Sequence, residues 1–319
     1  MVKDIMKRKS VTIISISSVI FLLLIIAFNN VYSSSNVFDG GRIVYSNQGW
    51  DAWNDHNNPH VYYYNGTIYF SYGNTTDYDS WLVTFDVETE TWGTPLKVAD
   101  NTQKPGDSHG TPSCVVNESG YIYVYNGGHC CPSDLFVSDN PEDTSSWSQK
   151  ASLPGSTSYP NIAATSDGDL YIFYRSGSGG STSLNFVKYD TSGNSYSGTT
   201  TIISSSDWWY PTSIYVGDDD MIHLGFNQRD TSALGYYRNA YYLYTDDYGQ
   251  TFYNADGTDL DSIGDGLPLS RSEADTYLMI EEFSVKISGG PRWCARVSAN
   301  DTGNPSMCYL RYDNSPVNE

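Results

Sequence analysis

Two histidines, a tyrosine and an arginine lie in one part of the chain, between residues 107 and 175. They are His109, His129, Tyr159 and Arg175. Removal of a proton beside a carboxylate needs these residue types, because a guanidinium binds a carboxylate bidentately while histidine and tyrosine side chains transfer protons. The stretch therefore predicts a site that binds an anion and moves protons.

Similar residues recur about every fifty residues along the chain. Each copy has a histidine or tyrosine anchor, a nearby proline, a short strand, a polar turn and an aromatic strand. The four anchors are His56, His109, Tyr159 and Tyr210. This period, with about four strands in each unit, is typical of a propeller. We therefore predict an all-β chain that forms a β-propeller of four-stranded blades, with five to seven blades.

The propeller repeat explains how distant residues could form one site. Each blade is an equivalent rotation of the previous one, so anchors that precede the innermost strand converge near the central axis. The four anchors would then line a common rim, with His129 and Arg175 beside them. The same pattern would also arise if the anchors only fastened one blade to the next. Arg175 follows an apolar aromatic strand, which favours an anionic partner there.

The repeat is less regular at both ends of the chain. Residues 40–45 have the pattern of a first strand that could close the ring from the other terminus. Beyond Leu267 the anchor pattern is lost, although residues 283–287 and 291–297 suggest a fifth blade. Ring closure therefore does not follow from the repeat alone.

The first residues have the pattern of an export signal. Lys3, Lys7, Arg8 and Lys9 precede an apolar run from Val11 to Phe28. This order is typical of a signal peptide, although the run is also just long enough to span a bilayer as an anchor. We predict a signal peptide or N-terminal membrane anchor over residues 1–35 and a propeller domain over residues 36–319. The protein would be secreted, and an anchor would be its contact with a membrane.

The chain is strongly acidic, with a formal net charge of -20. Such a charge excludes nucleic acid as the expected partner, because phosphate backbones attract basic surfaces. It would also repel an acidic polysaccharide. Any anionic substrate must therefore be attracted by a local cationic pocket, with salt shortening the range of the repulsion.

Five cysteines follow the leader, and an exported protein favours disulfides between them. Cys294 and Cys308 flank a predicted hairpin and could pair. Cys114 could pair with Cys130 or Cys131 if their strand ends are neighbours. The odd thiol, together with the adjacent His129, also leaves a structural zinc site open.

Two acidic segments, residues 218–220 and 256–265, are candidates for structural calcium. Calcium prefers hard oxygen ligands of this kind. Aspartates are also common in solvated turns, where their side chains bind neighbouring backbone N–H groups. No cofactor is required by any other pattern in the chain.

Three features of the chain together resemble one family. They are the anchor and proline repeat, the strand from Asp167 to Arg175 (DGDLYIFYR), and residues 245–252 (TDDYGQTF). The last matches an Asp-box, a hairpin-turn motif. This combination resembles the BNR-4 repeat β-propellers, which include the ulvan lyases of polysaccharide lyase families 24 and 25. Those lyases are longer and seven-bladed, so the resemblance implies a shortened seven-bladed propeller.

The resemblance implies an exported lyase that cleaves a uronate-containing, ulvan-like polysaccharide by β-elimination. Arg175 would neutralise the carboxylate, His109 or Tyr159 would accept the proton, and Tyr159 would protonate the leaving oxygen. His129 would orient His109 or bind the sugar, and the anchors Tyr210 and His56 are further candidates to bind the sugar at the same rim. A disulfide or metal at Cys130 or Cys131 would instead give His129 a structural role.

Two other functions fit the same fold. A noncatalytic lectin or adhesin would use the aromatic rim for sugar stacking. A sialidase-like glycoside hydrolase would fit the Asp-box, but the chain has no convincing set of three converging arginines or tyrosine and glutamate nucleophile pair. Retaining hydrolysis also needs paired carboxylates in the cleft. We therefore favour the lyase.

Overall fold

The computed structural model describes residues 56–74, 78–103, 106–178, 181–229, 237–282, 295–300 and 304–308. The chain divides into two units, Met1–Asn47 and Gln48–Glu319, and all the described residues belong to the second. The predicted leader over residues 1–35 and the predicted strands at 40–45 and 283–287 lie outside the described residues. Within the described residues, no helix has the length and apolar character of a membrane span.

The first sheet is antiparallel and centred on an aromatic strand. Its strands are β1 (Val61–Tyr64), β2 (Thr67–Gly73), β3 (Ser80–Asp86), β4 (Thr91–Trp92) and β5 (Leu96–Ala99). β2 pairs with β1 and β3, while β4 and β5 pair with β3. All but the first residue of β2 are buried, as expected for a strand that is covered on both faces.

The second and third sheets are joined into one antiparallel sheet of nine strands by pairing between β8 and β10. The second sheet contains β6 (Ser113–Val116), β7 (Ile122–Asn126), β8 (His129–Ser138) and β9 (Trp147–Gln149). The third contains β10 (Leu153–Ala164), β11 (Leu170–Ser178), β12 (Ser181–Asp190), β13 (Ser195–Tyr196) and β14 (Thr200–Ser205). Because β8 runs beside β10, the start of β8 lies next to the middle of β10, the edge strand of the third sheet.

The fourth sheet has strand order β15, β16, β17, β18. Its strands are β15 (Trp208–Val216), β16 (Ile222–Arg229), β17 (Tyr237–Thr245) and β18 (Met279–Glu281). A short helix, α1 (Arg271–Tyr277), precedes β18 and begins with a capping box between Ser270 and Glu273. The hairpin of β19 (Arg296–Ala299) and β20 (Pro305–Cys308) follows.

The core lies between successive sheets. Along β11, Leu170, Ile172 and Tyr174 pack toward the second sheet, whereas Tyr171 and Phe173 pack toward the fourth. This alternation follows from the period of two in a β-strand. Each fully buried aliphatic or aromatic side chain stabilises the fold by about 1.5–3 kcal/mol. The third sheet is therefore held on both faces, which makes it a rigid base for functional side chains.

The Asp-box at residues 245–252 forms the hairpin turn that its motif predicts. Asp247 Oδ1 accepts hydrogen bonds from the backbone N–H groups of Gln250 (3.0 Å) and Thr251 (2.8 Å) and from the Thr245 hydroxyl (3.0 Å). Gly249 takes a φ of +80°, a conformation that glycine adopts without strain. The carboxylate is thus occupied by its own turn, as in other Asx-type turns.

The predicted pairing of Cys114 with Cys130 or Cys131 is wrong. Cys114, Cys130, Cys131 and Cys308 are all free thiols. The Cys114 side chain points toward the first sheet and donates weak hydrogen bonds to the backbone carbonyls of His60 and Tyr69, at 3.5 and 3.8 Å. Burial raises the pKa of the Cys114 thiol to about 12, so the thiol stays protonated. Cys294, the predicted partner of Cys308, lies outside the described residues.

Candidate active site

A bulge in β10 places Tyr159 at the centre of the candidate site. The pairing of β10 with β11 shifts register between Ser158 and Asn161. Tyr159 lies within the bulge with a φ of +60°, a conformation that is rare for a bulky residue. Asn161 braces it by donating hydrogen bonds to the carbonyl oxygens of Tyr159 (3.1 Å) and His56 (2.5 Å). Strained residues of this kind often mark functional sites.

The structure brings all six predicted site residues into one cluster around Tyr159. From its ring centroid, the other centroids lie at 4.7 Å for His56, 5.4 Å for Tyr210, and 5.9 Å for both His109 and His129. His56 also contacts Tyr210, at 4.8 Å. The cluster thus draws side chains from the second, third and fourth sheets, from the segment before β1 and from the turn between the first and second sheets, as expected of a propeller axis.

Arg175, the sixth member, carries its charge into this aromatic cluster. It pairs with Ser158 across β10 and β11 and is only 5% exposed. Its guanidinium carbon lies 4.6 Å from the Tyr159 centroid and 4.8 Å from that of Tyr210. Among the described residues Arg175 has no carboxylate partner, and its Nε makes no hydrogen bond. A buried cation is costly without an anion, so the arginine favours binding of one.

Glycines allow the loops that carry the two histidines to touch. Gly110 follows His109, and a Cβ atom there would lie 3.0 Å from the carbonyl oxygen of Gly127. Gly127 in turn lies two residues before His129. Asn57 holds the first loop by donating a hydrogen bond to the His109 carbonyl oxygen, at 2.9 Å. The close approach of these backbones brings the two imidazoles together.

The two imidazoles stack and share one carboxylate. The His109 and His129 ring centroids are 4.0 Å apart with 21° between their planes. Asp107 Oδ1 lies 2.5 Å from His109 Nδ1, and Asp107 Oδ2 lies 2.9 Å from His129 Nδ1. With 41% and 23% of their side chains exposed, the histidines form the accessible part of the cluster.

The buried members of the cluster are held in their neutral forms. Burial lowers the pKa of His56 well below its usual value, and the positive charges of Arg175 and Arg296 lower it further. Burial raises the pKa of the Tyr159 phenol well above its usual value, against the opposing effect of Arg175. His56 is therefore an uncharged packing partner of the tyrosines, and Tyr159 keeps its proton at neutral pH.

Sequence reasoning assigned no role to Asp107, Trp208 or Arg229. The signal for Asp107 was an acidic residue two positions before a predicted catalytic histidine. The Arg229 guanidinium carbon lies 4.5 Å from the Trp208 ring centroid, and that of Arg175 lies 6.0 Å from the same centroid. Trp208 thus lies near two arginines, a relation that could have been suspected only from its position two residues before the Tyr210 anchor.

Asp107, His109 and His129 also have spacing compatible with a metal ion. Their donor atoms lie within 4.8 Å of one another, and histidine nitrogen with carboxylate oxygen is a common donor set for zinc. The group contains neither of the cysteines beside His129, in contrast to the predicted thiol-containing site.

The acidic segments predicted to bind calcium form turns. Asp220 accepts hydrogen bonds from the Ser166 backbone (2.9 Å) and the Tyr248 hydroxyl (3.1 Å). Asp259 caps the 3-10 turn at Leu260–Ser262. Asp259 is thus engaged by its own turn, Asp220 links its turn to two distant residues, and the calcium sites stay a prediction.

Comparison with known families shows what kind of protein carries this site. Residues 67–318, well over half of the chain, match the model of BNR_4, a BNR repeat-containing family. The chain belongs to the BNR_4 family. The predicted relation to BNR-repeat propellers is therefore confirmed.

Ulvan lyases are among the characterised relatives of this BNR_4 protein. It is 24% identical over 265 residues to the ulvan lyase of Nonlabens ulvanivorans, which covers 70% of this chain and 54% of that enzyme. It is 25% identical over 140 residues to an ulvan lyase of Alteromonas sp. (strain LOR), covering 37% of this chain and 29% of that protein. The chain thus spans about half the length, or less, of these relatives.

Solved structures show the same fold. A PL25 ulvan lyase bound to -[GlcA(1-4)Rha3S]- aligns with a TM-score of 0.64 at 19% identity, covering 77% of this chain and 62% of the lyase. The polysaccharide lyase Uly1 aligns with a TM-score of 0.56 at 14% identity, covering 91% and 73%. The predicted all-β propeller is confirmed, while the number of blades stays a prediction.

Proposed function

We propose that this BNR_4 protein is an exported polysaccharide lyase that cleaves a uronate-containing, ulvan-like polysaccharide by β-elimination. The observation that carries the proposal is Arg175, a buried guanidinium between two tyrosines with no carboxylate partner among the described residues. The ulvan lyases among its relatives support the same chemistry.

Arg175 binds the uronate carboxylate of the substrate. Its planar fork matches both carboxylate oxygens, and the bond strengthens as negative charge develops when the neighbouring proton leaves. Burial lowers the local dielectric, which makes this interaction stronger than it would be in water. The local positive charge also offsets the repulsion of an anionic polymer by the acidic chain.

His109 accepts the proton from the carbon beside the carboxylate. A neutral imidazole is a suitable base near pH 7, and its exposure lets the proton exchange with solvent after each turnover. The electrons of the broken C–H bond form a carbon–carbon double bond, and the bond to the glycosidic oxygen breaks. His129 lies beside the base and binds the sugar.

Tyr159 donates a proton to the departing oxygen. Its raised pKa keeps the phenol protonated, which favours the role of acid over that of base. Tyr210 and His56 pack against its ring and complete the sugar-binding rim. One proton is taken and one is given, no water is consumed, and the products are a new chain end and an unsaturated uronate.

Ultraviolet absorbance of the unsaturated uronate tests this function. The purified protein is incubated with several uronate polysaccharides, ulvan first, beside Arg175→Ala and Arg175→Lys variants whose folding is checked by circular dichroism. We expect absorbance to rise with the wild-type protein and to stay constant with Arg175→Ala. The rise should be strongly reduced with Arg175→Lys, which keeps the positive charge but loses the planar guanidinium that binds both carboxylate oxygens. An unchanged rate with Arg175→Ala would contradict the assignment. Binding without any product would favour a carbohydrate-binding propeller instead.

A further inference from the structure

Asp107 occupies the point where one side chain reaches both histidines of the candidate site. Its two carboxylate oxygens contact two different imidazoles, each through Nδ1. An ionised carboxylate only accepts hydrogen bonds. Both Nδ1 atoms must therefore carry a proton, and in each neutral ring the lone pair lies on Nε2.

The Asp107 carboxylate is itself held in place by the backbone. Its Oδ1 accepts a hydrogen bond from the His109 backbone N–H at 3.0 Å and caps the 3-10 turn at Ser108–Gly110. The Asp107 carbonyl oxygen accepts another from the Gly110 backbone N–H, also at 3.0 Å. Because the turn fixes the carboxylate, the carboxylate can fix the rings.

We propose that Asp107 is a positioning residue, which holds His109 and His129 in the Nδ1–H tautomer and presents the Nε2 lone pair of His109 to the substrate proton. This inference rests on the proposed lyase function. Without Asp107 each neutral ring would exchange between two tautomers, and the wrong one has no lone pair at the reacting position.

The stacking of the rings makes a single carboxylate sufficient. With 21° between their planes and 4.0 Å between centroids, the two rings present similar edges to Asp107. Both rings also lie 5.9 Å from the Tyr159 ring. Asp107 therefore orients the base relative to the acid without contacting the substrate.

Asp107→Asn separates this positioning role from a structural role. Asparagine caps a turn about as well as aspartate, so the loop is retained. Its amide oxygen can accept from only one imidazole N–H, while its NH₂ group requires a lone pair on the other Nδ1. That second ring must then change tautomer. Asp134→Asn is the matched control, since Asp134 is buried on β8 and accepts hydrogen bonds from Ser152 and Gln103 outside the cluster.

Two measurements test the proposal. We expect kcat of Asp107→Asn to fall by roughly 10²- to 10⁴-fold, as when a carboxylate that orients a catalytic histidine is removed, with KM changed by less than about 3-fold. Asp134→Asn should match the wild type. Nitrogen-15 NMR of histidine-labelled protein should show Nδ1–H tautomers for His109 and His129, with one ring changed to Nε2–H in Asp107→Asn.

Other outcomes would overturn the proposal. A cleaving wild type with an equally active Asp107→Asn variant would do so, as would Nε2–H tautomers in the wild-type NMR spectrum. Loss of activity on EDTA treatment, with recovery on adding zinc, would make the three residues a metal site instead. Failure of the wild type to cleave any uronate polysaccharide would contradict the proposed function alone, because the NMR measurement does not depend on activity.

Discussion

The third and fourth sheets carry the same Tyr-Pro anchor, but the side chains around the two anchors differ. Each has a Tyr-Pro anchor at a shift in strand register, which spans the anchor in the third sheet and follows it in the fourth, and both tyrosines enter the same cluster. The residue before the anchor differs in its partner, since Ser158 faces Arg175 whereas Trp209 faces Gln228. The repeat thus supplies equivalent positions, and single side chains at those positions supply the chemistry.

The backbone at the two anchors differs as well. Tyr159 has a φ of +60°, whereas Tyr210 is not among the residues with positive φ. Of the two anchors, only Tyr159 therefore has the rare positive-φ conformation, although Arg175 contacts both rings. Under the proposed function, the third sheet supplies the acid Tyr159 and the carboxylate-binding Arg175, whereas the fourth sheet supplies Tyr210 to the sugar-binding rim.

Replacing Arg175 with the fourth-sheet residue should have the largest effect. Gln228 occupies the position in the fourth sheet that Arg175 occupies in the third, so Arg175→Gln places the same amide in both sheets. We expect kcat/KM on a uronate polysaccharide to fall by at least about 10²- to 10³-fold, because the developing charge loses its main electrostatic partner. Initial rates of unsaturated-product formation measure this. A loss below tenfold would mean that the two sheets do not differ in the way we describe.

Removing one hydroxyl from each anchor should separate the two tyrosines. Tyr159→Phe takes away the proposed acid, so kcat should fall by about 10²- to 10⁴-fold. Tyr210→Phe keeps the ring that packs on Arg175 and should lose less than about tenfold. Equal losses in the two variants, measured under saturating substrate, would contradict the division of roles.

The residues two positions after the anchors sharpen the comparison further. Asn161 bonds the Tyr159 and His56 carbonyls, whereas Thr212 donates to the carbonyl oxygen of Ala295, at 2.8 Å. Asn161→Ala and Thr212→Val should each lower the free energy of unfolding by about 1–3 kcal/mol by leaving buried carbonyls unpaired. Only Asn161→Ala should also lower kcat. Urea unfolding and activity assays would show whether this difference exists.

The smallest expected effect is the pH dependence contributed by His56, which packs on both tyrosines. Its folded-state pKa lies below the usual value of 6.5, so below that pH the unfolded state binds the proton and the folded state does not. Stability should therefore fall as the pH drops below 6.5, by at most about 1.4 kcal/mol per pH unit from this residue. The slope should be shallower in His56→Asn. An identical slope would show that His56 is not buried in its neutral form.

Periodic features of the sequence predicted the fold and the side chains that lie together in the candidate site. The anchor spacing placed His56, His109, Tyr159 and Tyr210 near a common axis, because equivalent positions in a propeller converge. The strand ending in Arg175 indicated an anion partner, because a cation after a buried apolar strand is costly to leave alone. Such inferences succeed where repeat geometry alone determines position.

Features that depend on side-chain direction or on contacts between loops were not predictable. The role of Asp107 depends on two glycine-lined loops meeting. The error about Cys114 arose because the strand period directs its thiol toward the first sheet. The positive φ of Tyr159 follows from a bulge that no residue type in the sequence predicts.

The most direct test of the central claim is the fate of water during cleavage. The protein and ulvan are incubated in water enriched in heavy oxygen, and the products are analysed by mass spectrometry beside Arg175→Gln. We predict unsaturated ends with no incorporated heavy oxygen, formed only by the wild type. Saturated products that carry the label would show hydrolysis, and would contradict the proposed elimination.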